Sequence, residues 1–155
     1  MGGGPAGFLL TGELALCGVS VALTESLDEV VAVPRGGLIH ARTRQVLARR
    51  GLVSPESTRT SWPYHYGCVE GALTLRSPEH EYGAEPQYWP QAEFVRILER
   101  RCLDLGVRVY RRCRLRTASS TGDYVESVCE TAVGKKTFRS RWIVGADGLF
   151  RLKSA

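Results

Sequence analysis

The chain has 155 residues, of which 43% are hydrophobic and 24% charged, with a net charge of +5 and five cysteines. That length and balance suit one ordinary globular domain and exclude a collagen-like, low-complexity or highly charged disordered chain. No run of eighteen apolar residues is present, so no membrane span is expected, and no basic leader with an apolar core opens the chain.

The chain begins MGGGPAGFLL. Gly2, Gly4 and Gly7 fit the spacing GxGxxG, and Pro5 suits the first turn of a helix. A helix is expected over residues 5–17, with Phe8, Leu9, Leu14, Leu16 and Cys17 turned inward and Gly18 as its stop. VSVALT, residues 19–24, reads as a short apolar strand that ends at Glu25. A loop follows over 27–33, then a turn at Pro34-Arg35-Gly36-Gly37. Residues 38–50 have helical periodicity through Leu38, Val46 and Leu47, with Gly51 closing. Residues 54–63 read as polar and irregular. Two short strands are expected within 64–75, and a polar loop over 76–86. The clearest helix is 90–105, where Val95, Leu98, Cys102 and Leu105 recur at spacings of three and four. Gly106 caps it and VRVY starts a strand at Val107. Residues 124–133 and 137–144 read as a hairpin around Gly134-Lys135-Lys136.

The order starts as β-α-β and continues as mixed pieces, which predicts an α/β fold. In the glycine-rich turn, the first glycine permits a tight bend, the second lets the backbone approach a pyrophosphate, and the third lets helix pack on strand. A helix N-terminus adds free N–H groups and a positive dipole. Glu25, eighteen residues after Gly7, is placed to accept hydrogen bonds from a ribose. This acid alone does not separate FAD from NAD. A flexible glycine-rich tail ahead of an ordinary helix remains the alternative.

The cysteines are Cys17, Cys68, Cys102, Cys113 and Cys129. An odd count without CxxC argues against a disulfide framework or a zinc site and for buried reduced thiols in a cytoplasmic protein. His40, His65 and His80 have no metal-ligand spacing. The basic stretches 41–50 and 107–116 read as solvated faces or as complements to an anionic cofactor or substrate. A nucleic-acid partner would need base or phosphate readers among them and is not expected.

Four blocks in order, GGGPAGFLLTGELALCGVSVALTE, PRGGLIHARTRQVLARRGL, PQAEFVRILERRCLDLGVRV and WIVGADG, resemble the FAD-dependent aromatic hydroxylases of the para-hydroxybenzoate hydroxylase class, especially the polyketide and antibiotic hydroxylases. The resemblance implies a Rossmann-like FAD-binding fold with a mixed sheet and an antiparallel hairpin. The whole chain, 1–155, would be a partial FAD-binding domain, with 64–86 a candidate piece of the substrate-domain sheet. Gly2, Gly4 and Gly7 would hold the FAD pyrophosphate and Glu25 the adenosine ribose. Arg35 would lie against the cofactor, and Arg42 near it, although a surface or packing role fits Arg42 equally. Gln91 would face the flavin side chain, and Asp147, the acid of the DG motif, the pyrophosphate. The activity implied is hydroxylation of a small aromatic substrate with NADPH or NADH as reductant and O2. No catalytic side chain is assigned.

Three departures from the family pattern stand out. The strand that should precede Gly2 is absent, and burying about five apolar residues there contributes on the order of 10 kcal/mol. Arg151 occupies the serine position after DG, and the later GD motif is missing. These features predict a fold incomplete at both ends, completed by a partner or by further segments, or else a cofactor-binding remnant without turnover. A nicotinamide-dependent dehydrogenase is disfavoured, because it has no need of PRGGLIHART or WIVGADG.

Overall fold

The computed structural model describes residues 1–31, 37–53 and 87–148. The chain forms two compact units, residues 1–32 with 94–155 and residues 33–93.

The first unit opens with helix α1 (Pro5–Leu16), followed by strand β1 (Ala22–Thr24). Proline stands at the first helical position, where the missing N–H costs nothing. Gly18 ends the helix in a left-handed conformation, φ +75°. Its N–H bonds the Ala15 carbonyl at 2.9 Å, and the Val19 N–H bonds Leu14 at 3.0 Å. That second bond commits Val19 to closing the helix. The strand expected over 19–24 therefore shrinks to its last three residues. Phe8 is fully buried, but Leu16 and Cys17, expected inward, are exposed.

Helix α3 (Gln91–Asp104) buries Val95, Leu98 and Cys102, the stripe expected from the sequence. Within this unit it approaches α1 closely. The Cys102 thiol donates to the Phe8 carbonyl at 3.2 Å, and a Cβ on Gly12 would stand 3.7 Å from the same sulfur. Gly106, φ +77°, reverses the chain, and the Val107 N–H bonds the Cys102 carbonyl. Strand β4 (Arg108–Tyr110) then pairs in parallel with β1, Leu23 opposite Val109. A parallel pair requires a long crossover between its strands. At the end of β4 the Arg111 guanidinium makes a two-pronged ion pair with Glu99 of α3, Nε to Oε1 at 3.0 Å and Nη2 to Oε2 at 2.6 Å.

Strands β5 (Arg114–Ser120), β6 (Val125–Thr131) and β7 (Gly134–Ser140) make an antiparallel sheet in that order. Cys113, Leu115 and Cys129 form its buried cluster, with Met1, Tyr110, Phe138 and Ile143 packed against it. Three points of the sequence-based expectation need correcting. Strand β5 had no counterpart in the sequence reading, since it buries only Leu115. The hairpin reverses at Ala132–Val133, so Lys135 and Lys136 lie in β7, opposite Glu130 and Cys129. Gly134, φ +122°, takes the backbone conformation that the turn requires, and Thr131 Oγ1 donates to the Gly134 carbonyl at 2.8 Å. Strand β7 also ends at Ser140 rather than Val144, because residues beyond it bond to Met1 instead.

In the second unit, β2 (Leu38–Ile39) pairs antiparallel with β3 (Gln87–Tyr88), and α2 (Ala41–Ala48) follows β2. The helix expected to begin at Leu38 begins at Ala41 instead, with His40 in extended backbone as its N-cap. The bridge to Gln87 and Tyr88 holds Leu38 and Ile39 extended. Gly51, φ +66°, closes the helix end as expected, with the Leu52 N–H on the Leu47 carbonyl. Ile39, Leu47 and Trp89 are buried. Most of the expected turn at 34–37, the strands within 64–75 and the loops at 54–63 and 76–86 lie outside the described residues. Cys68, His65 and His80 do as well.

The described cysteines are all free, and only Cys17 is exposed. Burial pushes the Cys102 thiol up to about 11 and the Cys129 thiol up to about 12, the latter helped by the adjacent Cys113. Thiolates are the reactive form. Alkylation of the native chain at pH 8, mapped by mass spectrometry, is therefore expected at Cys17 and absent at Cys102, Cys113 and Cys129 until denaturant is added. Native labelling of any of those three at the rate of Cys17 would contradict the packing described.

Candidate cofactor-binding site

Met1 and Gly2 lie between the end of β1 and residues 144–146. The Gly2 N–H bonds the Thr24 carbonyl at 2.9 Å on one side. On the other, the Met1 ammonium donates to Val144 O at 2.8 Å and the Ala146 N–H to Met1 O at 2.7 Å. The glycine-rich turn thus emerges between two backbone segments, each of which ends in an acid: Glu25 after β1 and Asp147 after residue 146. Burial lowers the Met1 ammonium from its ordinary value, while Asp147, Cys129 and Glu25 pull it back up.

Each glycine of the spacing has its own steric reason. Gly2 has φ +98°, and a Cβ there would strike the Ala146 carbonyl and stand 2.9 Å from Asp147 N. A Cβ on Gly7 would fall on the Gly2 carbonyl oxygen, far inside van der Waals contact. Gly4 differs: nothing lies within 4 Å of where its Cβ would be. Gly4 is also the N-cap of α1, and no side chain caps the helix. The first-turn N–H groups of a helix have no partner within it, and no side chain takes that place here. The turn is therefore held tightly at Gly2 and Gly7 and left clear at Gly4, the arrangement needed for close approach of a phosphate.

Glu25 is built into the same cradle. Its Oε2 accepts the Gly3 N–H at 2.5 Å. Its Oε1 accepts the Leu27 N–H at 2.8 Å and the Ser26 hydroxyl at 3.1 Å. A carboxylate oxygen accepts more than one donor, so Oε2 keeps capacity for a ribose hydroxyl. Thr24 Oγ1, on the residue before it, is buried without a hydrogen-bond partner. These features fit a dinucleotide: a glycine cradle, uncapped amides, an anchored acid and an unmet buried hydroxyl.

Of the residues singled out from sequence, the structure brings Gly2, Gly4, Gly7, Glu25 and Asp147 together in the first unit. Arg42 and Gln91 belong to the second. Arg42 is exposed on α2, and Gln91 is the partly exposed first residue of α3. Arg35 lies outside the described residues. No group of three metal-ligating side chains occurs among the described residues.

Sequence reasoning missed Gly3, whose added Cβ would press within 3.1 Å of the Glu25 side chain. The run of three glycines was the available signal, since GxGxxG leaves that position free. It also missed Thr24, which nothing in the sequence marks.

The FAD binding domain family matches residues 1–150 of the chain. An uncharacterized aromatic compound monooxygenase of Bacillus subtilis, YhjG, is 28% identical over 96% of this chain and 30% of its own length. A dialkyldecalin synthase of Streptomyces rugosporus is 32% identical over 95% of the chain and 31% of its own length. Among solved structures, the anhydrotetracycline hydroxylase OxyS of Streptomyces rimosus superposes with a TM-score of 0.82 at 26% identity, covering 95% of this chain and 30% of that one. The chain spans about 30% of the length of the relatives it matches.

Proposed function

The chain belongs to the FAD binding domain family, and from that premise we propose that it is the FAD-binding part of a flavoprotein monooxygenase that hydroxylates a polyketide-like aromatic substrate. The observation that carries this reading is the cradle of Gly2 to Gly7, with Glu25 fixed on the Gly3 N–H and Asp147 abutting Gly2. FAD supplies the redox chemistry when bound; the chain's own residues bind and orient it. Gly2, Gly4, Gly7 and the amides of α1 take the pyrophosphate, with Asp147 beside it, and Glu25 takes the adenosine ribose. Arg35, Arg42 and Gln91 serve the remainder of the cofactor, Gln91 on the flavin side chain. The parallel β1–β4 pair behind α1 supports a Rossmann-like layout. Residues 64–86 would contribute to the substrate-domain sheet.

The reductant is NADPH or NADH. We read no nucleic-acid partner. In support, Arg111, Arg112 and Arg116 of the basic stretch are paired with Glu99, Asp28 and Glu130. No described helix is long and apolar enough to cross a membrane, and a cytoplasmic setting fits the free cysteines.

A second reading is favoured by one relative, which is named a synthase rather than a monooxygenase: the chain binds FAD without hydroxylating anything. Purification followed by absorbance and by release of the chromophore tests both. A yellow protein that yields FAD, with NAD(P)H oxidation dependent on an aromatic polyketide, supports the first reading. FAD without such oxidation supports the second. A colourless chain that takes up no added FAD contradicts both.

A further inference from the structure

Arg112 is the one non-glycine residue with positive φ among the described residues, at +52°. That conformation is costly for a residue with a Cβ, and such outliers persist where the surroundings impose them. Arg112 lies in the turn after β4, and that turn grips the loop after β1 at three backbone points. The Glu25 N–H bonds Tyr110 O at 2.8 Å, the Arg112 N–H bonds Leu27 O at 3.3 Å, and the Cys113 N–H bonds Glu25 O at 2.8 Å. The Arg112 guanidinium then closes on the Asp28 carboxylate.

Connected, these bonds make a chain of contacts into the cradle. The Arg112 backbone N–H holds Leu27 and its guanidinium holds the neighbouring Asp28; Leu27 N–H holds Glu25 Oε1; Glu25 Oε2 holds the Gly3 N–H. The ion pair is exposed on both sides, 62% and 53%, so its contribution to stability is small. A turn that needed only the backbone shape would be better served by glycine. What the arginine adds to that backbone shape is its guanidinium contact with Asp28.

Resting on the FAD reading above, we infer that Arg112 is a positioning residue: its guanidinium holds Asp28, and with it the adjoining Leu27 whose N–H fixes the carboxylate of Glu25 for the adenosine ribose. Its side chain acts in this role through Asp28. Two kinds of measurement separate this from a merely structural role.

The first is made without cofactor. In the FAD-free chain, the Gly3 amide resonance of Arg112→Gly should move and exchange with solvent at least threefold faster, while the Phe8 amide, bonded to Gly4 O, stays put. The second is FAD affinity by flavin fluorescence. Arg112→Gly should weaken FAD about three- to tenfold with an unchanged or raised melting temperature, because glycine removes the backbone strain. Arg112→Lys should restore part of the affinity. Asp28→Asn should weaken FAD similarly and add nothing to Arg112→Gly. An unchanged Gly3 amide together with unchanged affinity would overturn the inference, as would a loss of affinity that merely tracks a loss of melting temperature. If the wild-type chain binds no FAD yet the Gly3 amide responds to Arg112→Gly, the cofactor reading falls and the positioning of Glu25 stands.

Discussion

Gly7→Ala is expected to destabilise the first unit by at least about 3 kcal/mol, a severe overpacking effect. The added methyl would fall on the Gly2 carbonyl oxygen, with the Ala146 side chain behind it at 3.5 Å. Backbone must move to relieve this, and both neighbours are held. Gly2 is bonded to Thr24, and Met1 to Val144 and Ala146. Gly4→Ala provides the contrast. Its Cβ meets nothing within 4 Å, and φ −84° with extended ψ suits alanine. Its stability should change by no more than about 0.5 kcal/mol. The new methyl would nevertheless occupy the clear side of the turn, so FAD affinity should fall about tenfold or more, roughly 1.4 kcal/mol. Urea melts combined with FAD titration separate the two variants. Equal effects of both on stability would contradict the steric assignment, and an unaltered affinity in Gly4→Ala would remove the phosphate from that face.

Glu25→Ala should produce the second large effect. Removing the carboxylate leaves the N–H groups of Gly3 and Leu27 without their acceptor. Hydrogen bonds to a charged group are worth about 1.5–3 kcal/mol each when buried, less where water reaches them. Glu25 is only partly buried, so a stability loss of about 1–2 kcal/mol is expected. FAD should bind roughly 10- to 100-fold more weakly, since both the ribose acceptor and the anchor of the turn are gone. Glu25→Gln keeps an acceptor oxygen and should retain more stability than affinity. FMN lacks the adenosine ribose and should bind wild type and variant alike. If Glu25→Ala weakened FMN as much as FAD, the carboxylate would not be reading the adenosine end.

What the sequence disclosed and what it hid follow from how local each signal is. The glycine spacing, Pro5, Glu25 and the 95-98-102 stripe are short-range patterns, and each has a local counterpart in the structure: close backbone approach at Gly2 and Gly7, proline at the first helical position, an acid at the end of β1, and burial of Val95, Leu98 and Cys102. The strand β2 was hidden because its pairing with Gln87 and Tyr88 reaches across almost fifty residues; a two-residue strand has no periodicity to show. Strand β5 was hidden because its seven residues bury only Leu115, so no alternation of apolar and polar side chains marks it. In the site, spacing placed Glu25 near the turn. It did not disclose that the carboxylate holds the Gly3 N–H, or that residues from the turn after β4 hold the Glu25 loop in place. Those contacts join positions 22 and more than 80 residues apart. The strand 137–144 went wrong at its end for a related reason: the partner of residues 144–146 is Met1, at the other end of the chain.

We propose that the turn of Gly2 to Gly7, with Glu25 and Asp147 flanking it, holds the adenosine diphosphate half of FAD. Amide resonances of the isotope-labelled chain, followed during titration first with ADP and then with FAD, test it most directly. Saturable shifts are expected with both ligands, largest at Gly2–Gly4, Ala6, Gly7, Glu25–Leu27 and Asp147. Saturable shifts confined to other residues, or no shift of these amides with either ligand, would contradict it.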